Sequence, residues 1–479
     1  MLTQTARCYG GAMPAPDRVI DAIESGFAET LRDLVALARI PSVSAPGYPA
    51  QEVARCAEAV ADLLERSGLE HVELIRPAGA HPYVLADWLH AGPERPTLLL
   101  YAHYDVQPPG RAERWKSPAF EPTLRDGRLY GRGVVDDKAG LLVLAGAIRA
   151  WLAGDGRLPV NVKLVVEGEE EAGSTHLAEF LESQRERLAA DVIVLTDTAN
   201  FDTGIPALTT SLRGLVNIDV RVRALDHPLH SGMWGGAVRD AATALAILLG
   251  RMFGPDGEVV IPGFDDDVPV STTAQLAEIR SLPFDESAFR ADAGLVAGAR
   301  LAANDRYSAY ELIWTRPALA ITALEAMPLA ESANQLVDVA AARVGVRLAP
   351  GQDAERMREL MMDFLRRDPP FGVAIELACG SASPGWRRDP SGPDIEAARR
   401  ALALGYGRPA VCIGCGGSIP FVGPFSRVLD GAPALLLGLE DPICNAHSEN
   451  ESLHVGDFRS ALRAAAHLFD ELSDHPLAR

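Results

Sequence analysis

Three short apolar runs constrain the fold of this chain more than any other feature: TLLLYA at Thr97–Ala102, VNVKLVV at Val160–Val166 and DVIVLT at Asp191–Thr196. In TLLLYA and DVIVLT, and at the end of VNVKLVV, apolar residues follow one another instead of alternating, as in strands covered on both faces of a parallel sheet. Helical stretches at Lys138–Leu152 and Ser174–Leu188 separate them, so this part reads β-α-β-α-β. Near the other end, Ala410–Ile413 and Pro433–Leu439 alternate in the same way with helical segments at Asp394–Leu404 and Val455–Leu472. Both ends are therefore expected to build one α/β domain, with helices on both faces of a mainly parallel sheet.

The middle of the chain follows another pattern. Val216, Ile218, Val220 and Val222 alternate with Asn217, Asp219, Arg221 and Arg223, the period of a sheet covered on one face. Val344, Val346 and Leu348 alternate with Gly345 and Arg347, and Val373, Ile375 and Leu377 with Ala374 and Glu376. With an apolar strand at Ala318–Leu324 and helices near Ala237–Leu249 and Asp353–Arg367, the order becomes β-α-β-β-α-β, the ferredoxin-like pattern. The expected organisation is an α/β domain in two parts, 1–207 and 381–479, interrupted by an inserted α+β domain at 208–380. The Pro/Gly/Asp-rich stretch Gly254–Pro269 reads as a long loop inside the insert.

Composition narrows the function. A chain of 479 residues with 45 basic and 65 acidic side chains has a formal net charge of −20, which repels phosphate backbones and anionic lipid and argues against nucleic-acid and membrane partners. The longest apolar stretches, such as Leu141–Ile148, fall short of a membrane span, and the first residues lack an apolar run behind a basic start. A cytoplasmic location is expected. The six cysteines do not form a disulfide framework, and the single C-x-x-C, Cys412 and Cys415, reads as structural thiols beside a glycine turn.

Open α/β sheets place their sites just past the carboxyl ends of the strands. His103 and Asp105 follow TLLLYA there, Glu170 and Glu171 follow VNVKLVV, Asp197 follows DVIVL, and His447 follows PALLLGL; Asp136 precedes a helix in GRGVVDDK. A lone histidine after a strand is usually structural, and acidic residues before a helix usually cap it. Their convergence from five segments is instead the donor set of a two-metal hydrolase using zinc, cobalt or manganese.

The strings YAHYDVQP, LYGRGVVDDKAG, VVEGEEEAGS, LHSGMWGG, GGSIP and NAHSENE, in this order, resemble the dinuclear zinc metallopeptidase family of carnosinase, cytosolic nonspecific dipeptidase, aminoacylase and carboxypeptidase G. The resemblance runs from about residue 30 to 460, and WKSPAFEPT at 115–123 is most similar to the dipeptidase branch. It implies a zinc-peptidase-like catalytic domain carrying an inserted lid and dimerisation domain. It also implies two divalent cations, zinc first with manganese or cobalt as alternatives, bridged by Asp136. His103 and Asp197 would hold one, and Glu171 and His447 the other. Asp105 would orient His103, Glu170 would be the general base, and the Asp136–Asp137 peptide would be cis. His230 in LHSGMWGG would serve the active site of the partner in a homodimer. Arg347, which alternation turns away from the packed face of its strand, would grip a substrate carboxylate together with Gly417 and Ser418.

The activity implied is hydrolysis of the amide bond of dipeptides or short peptides. Deacylation of N-acyl or N-carbamoyl amino acids is the alternative, and an inactive binding protein on the same fold a second one. Two positions depart from the dipeptidase pattern: Cys415 stands where an acidic residue usually precedes GGSIP, and Ser381 stands where a histidine often precedes the tryptophan, here Trp386.

Overall fold

The computed structural model describes residues 17–302, 306–417, 422–429 and 431–474. The chain divides into two compact units. The first comprises Met1–Thr210, Asp389–Ile413 and Phe421–Arg479, and the second Ser211–Arg388 with Gly414–Pro420. The turn after Ile413, expected in the closing part of the catalytic domain, thus clusters with the insert.

In the first unit the strand Thr97–His103 is central, parallel to Asn161–Glu167 on one side and to Val192–Leu195 on the other, with Ala434–Leu436 parallel beyond the latter. Antiparallel strands Tyr83–Trp88 and Glu70–Ile75 extend one edge, so the sheet is mixed. Both faces are covered, as the unbroken apolar runs require. Leu98, Leu100 and Ala102 join a core with the helices Asp17–Ala38, Lys138–Asp155, Pro393–Tyr406 and Val455–Glu471, while Tyr101 on the opposite face meets Phe425 edge-on. The 138–155 helix is apolar nearly all round because it lies buried against both the sheet and other helices. The 393–406 and 455–471 helices approach so closely that a Cβ on Gly405 would collide with the Ala464 backbone. The helix expected at Ser174–Leu188 is broken into Leu177–Ser183 and Arg185–Leu188. Ser174 has φ 49° and the His176 N–H is bonded to Glu169, which goes with the start of the first helix at Leu177.

The second unit holds Gly214–Arg223, Ala318–Glu325, Val339–Leu348 and Ala374–Ser383, all antiparallel to their neighbours. In space the second strand is followed by the third, the first and the fourth, the ferredoxin-like order. Val216, Ile218, Val220 and Val222 pack with Val344 and Val346 against the helices Ala241–Gly250 and Ala354–Arg366, leaving the other face polar. The 254–269 loop is present, but three short helices beyond it, Thr273–Ser281, Glu286–Asp292 and Ala309–Trp314, were not foreseen. Cys56, Cys379, Cys412, Cys415 and Cys444 form no disulfide, and no helix among the described residues is long and apolar enough to cross a membrane.

Candidate metal centre

The 97–103 strand ends in His103, whose ring is fully buried. Its Nδ1 lies 3.1 Å from the Asp105 backbone oxygen and 3.4 Å from Asp105 Oδ1. With that nitrogen held, Nε2 is aimed at Asp136 Oδ1, 3.0 Å away, and Asp197 Oδ1, 3.8 Å away. The Asp105 carboxylate also accepts the Ser44 hydroxyl at 2.6 Å and the backbone N–H groups of Glu170 at 3.2 Å and Glu171 at 3.0 Å. One buried carboxylate thereby sets the strand end against the turn that carries both glutamates.

The three consecutive glutamates have separate surroundings. Glu169 is buried and accepts the Tyr83 hydroxyl and the His176 backbone N–H, both at 2.9 Å, with His176 Nδ1 3.0 Å from it. Glu170 groups with His103 and Asp197, their donor atoms all within 4.8 Å of one another. Glu171 receives the Gln107 amide at 2.7 Å and lies 3.1 Å from His447 Nε2. It forms a second such group with Asp136 and His447. Asp136 turns Oδ1 toward His103 and Oδ2 toward His447, the latter at 2.8 Å. The Asp136–Asp137 peptide is cis. Asp137 makes no side-chain cap to the helix that follows it, so the simple capping explanation does not account for this pair.

Two residues inside the quoted motifs were missed. Glu451 is completely buried and accepts Arg132 at 2.6 Å, Gly133 N–H at 2.9 Å and Val135 N–H at 3.0 Å. It therefore holds the segment that delivers Asp136. Arg132 lies in LYGRGVVDDKAG and Glu451 in NAHSENE, so motif membership was the available signal.

The electrostatics fit divalent cations. Four carboxylates face two imidazoles in the two groups. Burial and then the Asp197 charge push Glu170 well above the usual carboxylate range, and burial and then Asp136 push Glu171 up to about 7. Burial would raise Asp136 too, but hydrogen bonds from His103 and His447 outweigh it and hold that carboxyl low. Hydrogen bonds to Asp136 and Glu171 push His447 up to about 11. Carboxylates this close repel one another unless protons or cations are shared among them, and nitrogen and oxygen donors in two groups suit borderline divalent ions.

The remaining expected residues lie in the second unit. His230 is exposed, with Nδ1 accepting the Gly232 N–H at 3.1 Å. Arg347 is half-buried on the polar face of its strand, and Gly417 N–H points at Cys415 Sγ, 3.3 Å away. Ser418 lies outside the described residues.

A mixed α/β sheet with two three-donor groups meeting at one aspartate defines the class of two-metal hydrolases. The chain belongs to Peptidase family M20/M25/M40, whose profile matches residues 99–471. It is 32% identical over 362 residues to a cysteinylglycine-S-conjugate dipeptidase of Corynebacterium striatum, covering 75% of this chain and 77% of that protein. It is 27% identical to the human beta-Ala-His dipeptidase, with 95% and 91% covered. The solved structure of the Saccharomyces cerevisiae di-peptidase Dug1p superposes with a TM-score of 0.81 at 26% identity, covering 96% of this chain and 99% of that one.

Proposed function

We propose that this protein hydrolyses the peptide bond of dipeptides or short peptides with two divalent cations, zinc first and manganese or cobalt as alternatives. The observation that carries this reading is Asp136, a buried carboxylate with one oxygen toward each of two imidazoles in separate donor groups. In this reading His103, Asp136 and Asp197 hold one cation, and Asp136, Glu171 and His447 the other. Such cations lower the pKa of a water to about 7 and polarise a carbonyl oxygen. Glu170, beside His103 and Asp197, would take the proton from the attacking water and return it to the leaving amine. Asp105 keeps His103 in one orientation and holds the Glu170 turn in place.

The relatives named above act on dipeptides of differing side chains, which supports the class of substrate without selecting one member. The deciding experiment gives the metal-loaded protein a panel of dipeptides beside acetyl- and carbamoyl-amino acids. Dipeptides should be cleaved, chelation should abolish cleavage, and added zinc, manganese or cobalt should restore it. Turnover confined to acyl or carbamoyl compounds would overturn the substrate class, and none of any amide would overturn the hydrolase.

The same reading makes the 208–380 insert a lid through which two chains pair. The 318–325 strand is an edge of its sheet with a mostly exposed surface, and Leu324, Leu329, Met233 and Trp234 are exposed apolar side chains in this unit. His230 then stabilises the oxyanion in the partner's site, and Arg347 with Gly417 and Ser418 holds the substrate carboxylate. Mixing inactive Glu170→Ala chains with inactive His230→Ala chains should recover activity, because one site of each heterodimer regains both groups. Proven heterodimers without activity would exclude donation in trans. The cysteines among the described residues form no disulfide, which supports a reducing, cytoplasmic setting.

A further inference from the structure

His447 is the most exposed of the residues assigned to the cations, with 57% of its side chain accessible, whereas the ring of His103 is fully enclosed. It stands in the loop between the strands Ala434–Leu436 and Ser452–His454. Asn445, His447 and Asn450 have φ of 55°, 61° and 64°, left-handed conformations that residues other than glycine keep only where their surroundings fix them. Apart from its bonds to Asp136 and Glu171, so exposed a ring takes little restraint from packing. The restraint has to come through the chain on either side.

Arg128 joins the two ends of that loop. Its Nη1 and Nη2 each donate to one oxygen of Asp441 at 2.7 Å, the paired bond of a guanidinium to a carboxylate. Its Nε donates to the Ser452 hydroxyl at 2.9 Å, and Nη2 also reaches the Ser452 backbone oxygen at 3.3 Å. Arg128 and Asp441 are both buried, and Asp441 accepts the Thr203 hydroxyl at 2.6 Å from another side. Inside the loop the Cys444 N–H donates to the Asp441 backbone oxygen at 3.0 Å, and the Ser452 N–H to the Cys444 oxygen at 2.7 Å. A shift of either end is therefore passed along the backbone toward His447. Beyond His447, Arg132 Nη2 donates to the Ser448 oxygen at 3.2 Å; before it, the chain is tied through Asp441.

We infer that Arg128 is a positioning residue for the cation assigned to Asp136, Glu171 and His447. It clamps both loop ends so that His447 Nε2 stays 2.8 Å from Asp136 and 3.1 Å from Glu171. This rests on the reading of His447 as a ligand. Arg128 acts only through Asp441 and Ser452. Lysine cannot replace it, because a point charge neutralises Asp441 but lacks the planar fork that holds both residues at once.

The test titrates metal-free protein with cobalt, followed by visible absorption, and takes the step removed by His447→Ala as the one that depends on His447. Arg128→Lys should weaken that step about 10–100-fold, the usual effect of altering a group behind a ligand, and change the other step less than about threefold. Its urea midpoint should stay near that of the unaltered protein, since Asp441 keeps a counter-charge. Arg128→Met, which leaves Asp441 buried and unpaired, should show the same selective loss with a lower midpoint. A second readout needs no metal: hydrogen exchange at the Cys444 and Ser452 amides should be faster in Arg128→Lys than in the unaltered protein. Both steps weakened alike, or neither, would make Arg128 a residue of general stability and overturn the inference while leaving two-metal binding standing. Loss of neither step in His447→Ala would remove the ligand reading, and the inference with it.

Discussion

Glu170→Gln should lower turnover about 10²–10⁴-fold, the usual worth of a positioned acid–base group, while elemental analysis still finds two cations per chain. The expectation follows from the separate surroundings of the three glutamates. Glu171 is turned by Gln107 toward His447, and Glu169 is turned away by Tyr83 and His176. Glu170 is the one left beside His103 and Asp197. Glu171→Gln should instead lose a cation, and Glu169→Gln should remain active. The geometry offers a sharp way for this assignment to fail, since Glu170 lies as near to His103 and Asp197 as a ligand would. If Glu170→Gln released the cation held by those two residues, Glu170 would be a ligand and the base would have to be sought elsewhere.

Arg132→Met should destabilise the protein by about 3–5 kcal/mol, the typical consequence of leaving one member of a buried ion pair alone. The Arg132 and Glu451 side chains are only 2% and 0% exposed, at 2.6 Å from one another. An unpaired Glu451 would retain the Gly133 and Val135 N–H groups but lose its counter-charge. The double change Arg132→Met with Glu451→Leu should recover part of the loss, because no buried charge remains, but not all of it, because those two N–H groups then lack their acceptor. Arg111→Met, which breaks an ion pair to Glu449 from a side chain that is 56% exposed, serves as the control and should leave the denaturation midpoint unchanged. A small shift for Arg132→Met, no larger than for Arg111→Met, would show that water reaches the pair. Metal analysis of folded Arg132→Met would also show whether two cations are still bound when the segment before Asp136 is loosened.

The strand ends were readable because sheet and site share one geometric rule. An apolar run marks a buried strand, and the first polar residues after it fall at the rim; His103 after TLLLYA and Asp197 after DVIVL follow directly. The ferredoxin-like order was readable because alternation in Val216–Val222 and Val344–Leu348 records which face is buried. The late start of the helix expected at 174–188 was not, since it goes with the left-handed backbone of Ser174 and the bond from the His176 N–H to Glu169, seven residues earlier. The helices at Thr273–Ser281 and Ala309–Trp314 were marked by the capping boxes Thr272–Gln275 and Ser308–Glu311, a local signal that went unread because their apolar periodicity is weak. The Arg132–Glu451 pair joins positions 319 residues apart, and no spacing rule links residues so distant.

That distance bears on how the protein is made. His103, Asp105, Asp136, Glu170, Glu171 and Asp197 all leave the ribosome before the second unit begins at Ser211, whereas His447 and Glu451 follow after that unit has been synthesised. At ~5–20 residues per second, the stretch from Asp197 to His447 takes roughly 10–50 s to translate. During that interval Asp136 lacks its second imidazole, the segment before it lacks its anchoring carboxylate, and the 192–195 strand lacks its parallel neighbour at 434–436. A nascent chain therefore carries most of the donor atoms but cannot complete the arrangement. The arrangement is complete only once His447 and Glu451 have been made, so the order of these residues along the chain keeps a copy that lacks them inert.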